Sequence, residues 1–111
     1  MPPRRRRGVN DRINSFGHTA LICASGPSGN PEKVKQLLKE VDIDVNKTDT
    51  TNGNTALIMA SIWQKIETVK LLLEHPDIDV NKAETKYGRT ALVIAKQSGY
   101  AEIVRLLELA W

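Results

Sequence analysis

The fold class predicted by the sequence is mainly α: a solenoid of three helix-turn-helix units with short hairpin-like fingers between them. Three observations predict it. Val9-Asn10, Val45-Asn46 and Val80-Asn81 recur at intervals of 36 and 35 residues. At the same intervals a glycine opens a near-identical block: Gly17-His18-Thr19-Ala20-Leu21, Gly53-Asn54-Thr55-Ala56-Leu57 and Gly88-Arg89-Thr90-Ala91-Leu92. An apolar helical run follows each block and includes Val34, Val69 and Val104, spaced by 35 and 35. Markers that keep one register along the chain identify a repeat array.

Each element has a local cause. Residues 1–7 form a basic tail, with repeats at about 8–43, 44–78 and 79–111. Thr19, Thr55 and Thr90 stand between a glycine turn and an apolar run, where a hydroxyl can accept from the free N–H groups of a first helical turn. Gly99 is placed to end the first helix of repeat three in the left-handed conformation. Gly29 occupies the matching place in repeat one, and Gln64, in repeat two, carries local strain there. An extra residue within Ser25-Gly26-Pro27-Ser28 shortens the first helix of repeat one. The second helix of that repeat starts with Asn30 as cap and Pro31 in the first helical position. Val34, Leu37, Leu38 and Val41 then share one helical face. Pro76 follows the second helix of repeat two. The segment from Val80 to Gly88 reads as an extended finger. Neither helix of a unit is long enough to be stable alone, so each must pack on its neighbours.

The G-x-T-A-L-x-x-A block, the Val-Lys-Leu-Leu-Leu-Glu helix and the Asp-Val-Asn ending resemble the ankyrin repeat over about residues 8–111. Ile22, Ile58 and Val93 replace the family's histidine, so apolar packing must substitute for its hydrogen bonds. The resemblance implies a non-enzymatic scaffold that binds another protein through a concave face of finger tips and first helices. Matched residue by residue, that face comprises Ser15, Phe16 and His18 in repeat one. Repeat two supplies Thr51, Asn52, Asn54, Ile62 and Trp63, and repeat three Lys86, Tyr87, Arg89, Gln97 and Ser98. Trp63 is the leading anchor, because buried aromatics and arginines carry most interface energy. In the family, asparagines placed like Asn46 and Asn81 can be hydroxylated. The preferred reading here is a side chain bonding the turn backbone.

Other chemistry fails on its own requirements. Asp42-Ile43-Asp44-Val45-Asn46 mimics the start of a calcium loop. Lys47 stands where the loop needs glycine, and Gly53 where it needs a bidentate glutamate. Cys23, His18 and His75 lack zinc spacing, and Cys23 matches Met59 and Ile94 as a core position. Ser25 to Asn30 lacks the Gly-Lys-Ser/Thr of a phosphate loop. No catalytic set, metal site or cofactor site is expected. The single cysteine and the lack of an export signal point to an intracellular protein, cytoplasmic or nuclear. Asn46-Lys47-Thr48 is then a chance glycosylation match, and no apolar run is long enough for a membrane span.

The net charge is +3 at pH 7, but Arg4 to Arg7 supply four positive charges, leaving the rest at −1. Such a tail reads as a nuclear import signal, a nucleic-acid tether or simply a solvated terminus. At the other end Leu106, Leu109 and Trp111 lie off the helical face or at its margin. That predicts self-association through the C-terminal helix, or a further repeat stacked on it. Nucleic-acid binding, where it occurs, is expected to be weak, unspecific and confined to the tail. Its logarithmic salt slope should be no steeper than about −4. Filter binding over a salt series, with and without residues 1–7, checks this.

Overall fold

The structure, a computed structural model, describes residues 8–110. The Arg4–Arg7 tail and Trp111 therefore lie outside the described residues. Six helices follow one another: α1 (Ala20–Ala24), α2 (Pro31–Leu38), α3 (Ala56–Ile62), α4 (Ile66–Leu73), α5 (Ala91–Ser98) and α6 (Ala101–Leu109). They pack as antiparallel pairs within each repeat. First helices stack α1 on α3 on α5, and second helices stack α2 on α4 on α6. The extents are 54 × 27 × 24 Å, long in one direction as a stack requires.

The caps explain where the helices start. The hydroxyls of Thr19, Thr55 and Thr90 accept from the N–H groups of Ile22, Ile58 and Val93 at 3.1–3.2 Å. Asn30 does the same for α2, accepting from Lys33 N–H at 2.8 Å, with Pro31 just behind it. Small buried residues, Ala56, Ala60, Ala91 and Ala95, let the first helices approach closely. The hydroxyls of Ser25 and Ser61 are fully buried between repeats, and each donates back to a carbonyl of its own helix at 2.8 Å. Leu21, Ile22, Leu57, Ile58, Leu72 and Ile103 fill the core around them. Ile22 and Ile58 are each 1% exposed, so apolar packing stands in for the histidine in the first two repeats, whereas Val93 in the third is 39% exposed.

Neighbouring repeats are laced together by backbone groups. Asn10 donates to the Asp42 carbonyl at 2.7 Å and accepts from Asp44 N–H at 2.7 Å. Asn46 repeats the pattern on Asp77 and Asp79, both at 2.8 Å. Asn46 thus bonds the turn where its own repeat passes into the next, rather than the turn it stands in. Asn81 makes no such side-chain bond among the described residues. Higher up, the Phe16 carbonyl accepts from Thr50 N–H and from the hydroxyls of Thr50 and Thr51. The Asn52 carbonyl accepts from Thr85 N–H at 2.8 Å and its hydroxyl at 2.9 Å.

Several expectations need correction. Gly29 is not left-handed. It is small because a Cβ there would collide with the Ala24 carbonyl. Gly99 (φ 74°) and Gln64 (φ 55°) do end α5 and α3 in the left-handed region. The first helix of repeat one is short, at five residues. Cys23 is half-buried rather than core, because it faces a groove at the edge of the stack, with Asn14 Nδ2 3.6 Å from its sulfur. Val41, grouped above with the buried helical face, lies beyond α2 and is exposed. Leu106 already packs on the core, and among the described residues Leu109 (78% exposed) and Val93 (39%) remain uncovered at that end.

Gly53 and Gly88 share a left-handed φ but not their surroundings. A Cβ on Gly53 would lie 2.6–2.9 Å from Thr85, backbone nitrogen included, whereas one on Gly88 meets nothing within 4 Å. Gly88→Ala should therefore cost only the left-handed penalty, about 1–2 kcal/mol. Gly53→Ala should cost clearly more, because the neighbouring finger must shift. Urea unfolding of the two variants against wild type checks the difference.

Candidate functional site

Three fingers rise from the stack. In each the backbone closes a hairpin: Ile13 N–H to His18 carbonyl (2.7 Å), Asp49 to Asn54 (2.9 Å) and Glu84 to Arg89 (2.8 Å). A side-chain oxygen within the hairpin holds its tip. Asn14 Oδ1 accepts from the N–H groups of Phe16 and His18 at 3.0 and 3.1 Å. Asp49 Oδ1 accepts from Asn52, Gly53 and Asn54 at 2.9–3.2 Å. Glu84 Oε1 accepts from Tyr87 and Arg89 at 2.8 and 2.9 Å. Asp49 and Glu84 are almost fully buried, at 5% and 3% exposure. Burial alone would raise the Glu84 carboxyl. The N–H groups of Arg89 and Tyr87 and the Arg89 guanidinium outweigh it, so its pKa lies below the ordinary value.

With the tips fixed, the residues matched to the concave face fall into two neighbourhoods. Phe16, His18, Thr51, Asn52, Asn54, Ile62 and Trp63 line one cavity of about 400 Å³, joined by Pro27, Asp49 and Met59. Phe16 and Trp63 are 56% and 50% exposed. Ile62 is half-buried, and Asn54 is buried at 6% and offers little surface. The Phe16 and His18 rings lie 5.6 Å apart, and His18 Nε2 is 3.6 Å from Asp49 Oδ2. Lys86, Tyr87, Arg89 and Gln97 form the second neighbourhood. The Arg89 guanidinium stands 4.9 Å and the Lys86 ammonium 5.3 Å from the Tyr87 ring centre, within cation–π range. Arg89 Nη1 donates to Gln97 Oε1 at 3.2 Å. Ser15 and Ser98 are exposed and belong to neither cluster.

Sequence reasoning missed the finger-holding Asn14, Asp49 and Glu84, and it missed Pro27 and Met59 as cavity walls. Asp49 and Glu84 share a register four residues before Gly53 and Gly88, a signal that was present. Pro27 had none, because the insertion carrying it occurs once. A shallower depression of about 240 Å³ lies across α2 and α4, with Lys35, Glu74 and His75 on its rim, and gathers no matched residue.

Burial pushes the Cys23 thiol pKa up, with Lys33 and Asn14 opposing it only in part. Among the described residues no three His, Cys, Asp or Glu side chains gather as a metal site. No helix among them is long and apolar enough to cross a membrane. A family model described as ankyrin repeats matches residues 20–109 in 3 copies. No curated protein matches the chain.

The lowered Glu84 pKa fixes the sign of a pH effect. Its stabilisation is present above the unfolded carboxyl value, about 4.3, and is lost as pH falls through the lower folded value. At neutral pH Glu84→Gln should lose about 1–3 kcal/mol, the worth of charge-assisted bonds. The gap between variant and wild type should close in acid. Denaturant unfolding across a pH series measures it.

Proposed function

We propose, on the premise that this chain belongs to the ankyrin-repeat family, that residues 8–111 form a docking domain whose finger tips and first helices hold a partner protein. The family is a non-catalytic interaction fold, and ankyrin repeats generally act as protein–protein interaction modules. One observation carries the finer reading. Phe16, Trp63 and Tyr87 stand half or more exposed, and all three lie on the finger-and-first-helix side. Exposed aromatics grouped beside a cavity mark an interaction surface. They are also the residues that most often become hot spots once a partner excludes water.

The supports are rigid where it matters. Trp63 caps the C-terminus of α3, with its N–H bonded to the Met59 carbonyl at 3.2 Å. Phe16 sits at a tip held by Asn14 on one side and by the threonines of the next finger on the other. A face that needs little ordering loses little entropy on binding. The broad opening, built from several elements, fits a protein surface better than a small ligand.

Affinity capture from cell extract with wild type, Trp63→Ala and a control on α4, Lys70→Ala, tests the reading. Retained partners should depend on Trp63 and not on Lys70. For a purified partner, calorimetry should show Trp63→Ala losing about 2 kcal/mol, roughly thirtyfold in Kd. The melting temperature should hardly move, since half of the side chain is already in water.

A further inference from the structure

We infer that the partner presents an acidic segment with an apolar side chain as anchor; this rests on the docking face described above. The inference comes from where the charges stand. Of the 13 acidic residues, ten lie on α2, α4 and α6 or in the turns after them, as Glu32, Glu67 and Glu102 do. Two more, Asp49 and Glu84, are buried in the fingers, accepting from backbone N–H groups. Asp11 alone remains on the finger side, at the root of the first finger, where it accepts from Gly8 N–H at 2.8 Å. The cations of residues 8–110 divide evenly: Lys33, Lys35, Lys39, Lys65, Lys70 and Arg105 lie on or beside second helices, and Arg12, Lys47, Lys82, Lys86, Arg89 and Lys96 stand on fingers or first helices. Six cations against ten acidic residues leave the back at −4, and six against three leave the front at +3. A nearly neutral body thus has an acidic back and a basic front.

The basic third finger adjoins the apolar cavity through Asn52, which lines the cavity and whose carbonyl accepts from Lys86 N–H at 3.4 Å. Glu84 does not neutralise Arg89 fully, because Glu84 Oε1 already accepts two backbone N–H groups and lies 3.8 Å from Arg89 Nε. Arg89 Nε is buried and has no hydrogen-bond partner. Lys86 rests over Tyr87 and forms no ion pair among the described residues. Carboxylates arriving here find two cations beside an aromatic ring, with the cavity of Phe16, Pro27 and Trp63 next to them for an anchor. Complementary charge both steers the approach and rejects basic competitors. A nucleic acid fits less well: it needs cations tracking its phosphates, and no Lys or Arg lines the cavity.

The test uses the full chain, isotope-labelled, titrated with a short synthetic peptide in which one Phe is flanked by glutamates. Its glutamine and lysine analogues and an oligothymidylate of equal charge are titrated alongside. The acidic peptide should shift the backbone resonances of Trp63, Lys86, Tyr87 and Arg89. It should bind about tenfold tighter than the glutamine analogue, the worth of a few exposed ion pairs, and lose that margin as salt rises. Lys86→Gln should shrink the margin without lowering the melting temperature, since the Lys86 side chain forms no ion pair with Glu84 and the backbone N–H that faces this carboxylate is kept. Equal binding of acidic and glutamine peptides at this face overturns the inference while leaving the docking face standing. Preference for the lysine peptide or the oligonucleotide also overturns it. Shifts confined to α2, α4 and α6, or none at all, defeat both the inference and the docking reading.

Discussion

The stacking of this molecule depends on a tip carbonyl in each of the first two fingers being claimed by the next finger. The Phe16 and Asn52 carbonyls sit at hairpin tips, where an isolated repeat would leave them to water. Threonines of the following repeat, Thr50, Thr51 and Thr85, bond them instead. Asn10 and Asn46 do the same lower down. Gly17 and Gly53 follow from this constraint, because the approach of Thr50 and Thr85 leaves no room for a side chain. The helices beneath have five to nine residues each and cannot persist alone. Stacking therefore buries the apolar faces, while the ladder of hydrogen bonds sets the spacing at which they meet.

The same economy places charge. A finger must turn its backbone sharply, and its inward N–H groups need acceptors. Asp49 and Glu84 supply them from inside the hairpin and vanish from the surface. Repeat one uses a neutral amide, Asn14, for the same task, and Asn14 also reaches His18 and Cys23. Structural carboxylates so consumed leave cations to dominate the finger side. The electrostatic character of the face is thus partly a by-product of how the hairpins are held.

How much of this was legible in the sequence depended on repetition. The array, the threonine caps, the Asn30-Pro31 start and the left-handed Gly99 and Gln64 all follow from spacing and local chemistry, and the structure contains them. Cys23 misled because register assigns a position and not its depth. Met59 and Ile94 share its register and are buried, but Cys23 lines the groove beside the single insertion at Pro27. Gly29 misled for the same reason, since the insertion changes what its backbone must do. The division of charge was hidden from composition, because opposite faces cancel in the total. Only assigning Glu67 and Glu102 to second helices and Lys86 and Arg89 to a finger reveals it.

The third finger lacks what the first two have. No following threonine claims the Tyr87 carbonyl among the described residues, and nothing stands near Gly88. Its tip is held from within by Glu84 and from one side by Asn52. Local opening there breaks fewer bonds than opening in the middle finger, so its amides should exchange faster than those of the middle finger. On the proposed docking reading, a partner's side chain would meet the cavity between the first two fingers, and the looser third finger would settle around the chain beside it. Such a surface would be exacting about the first part of what it binds and tolerant of variation in the second.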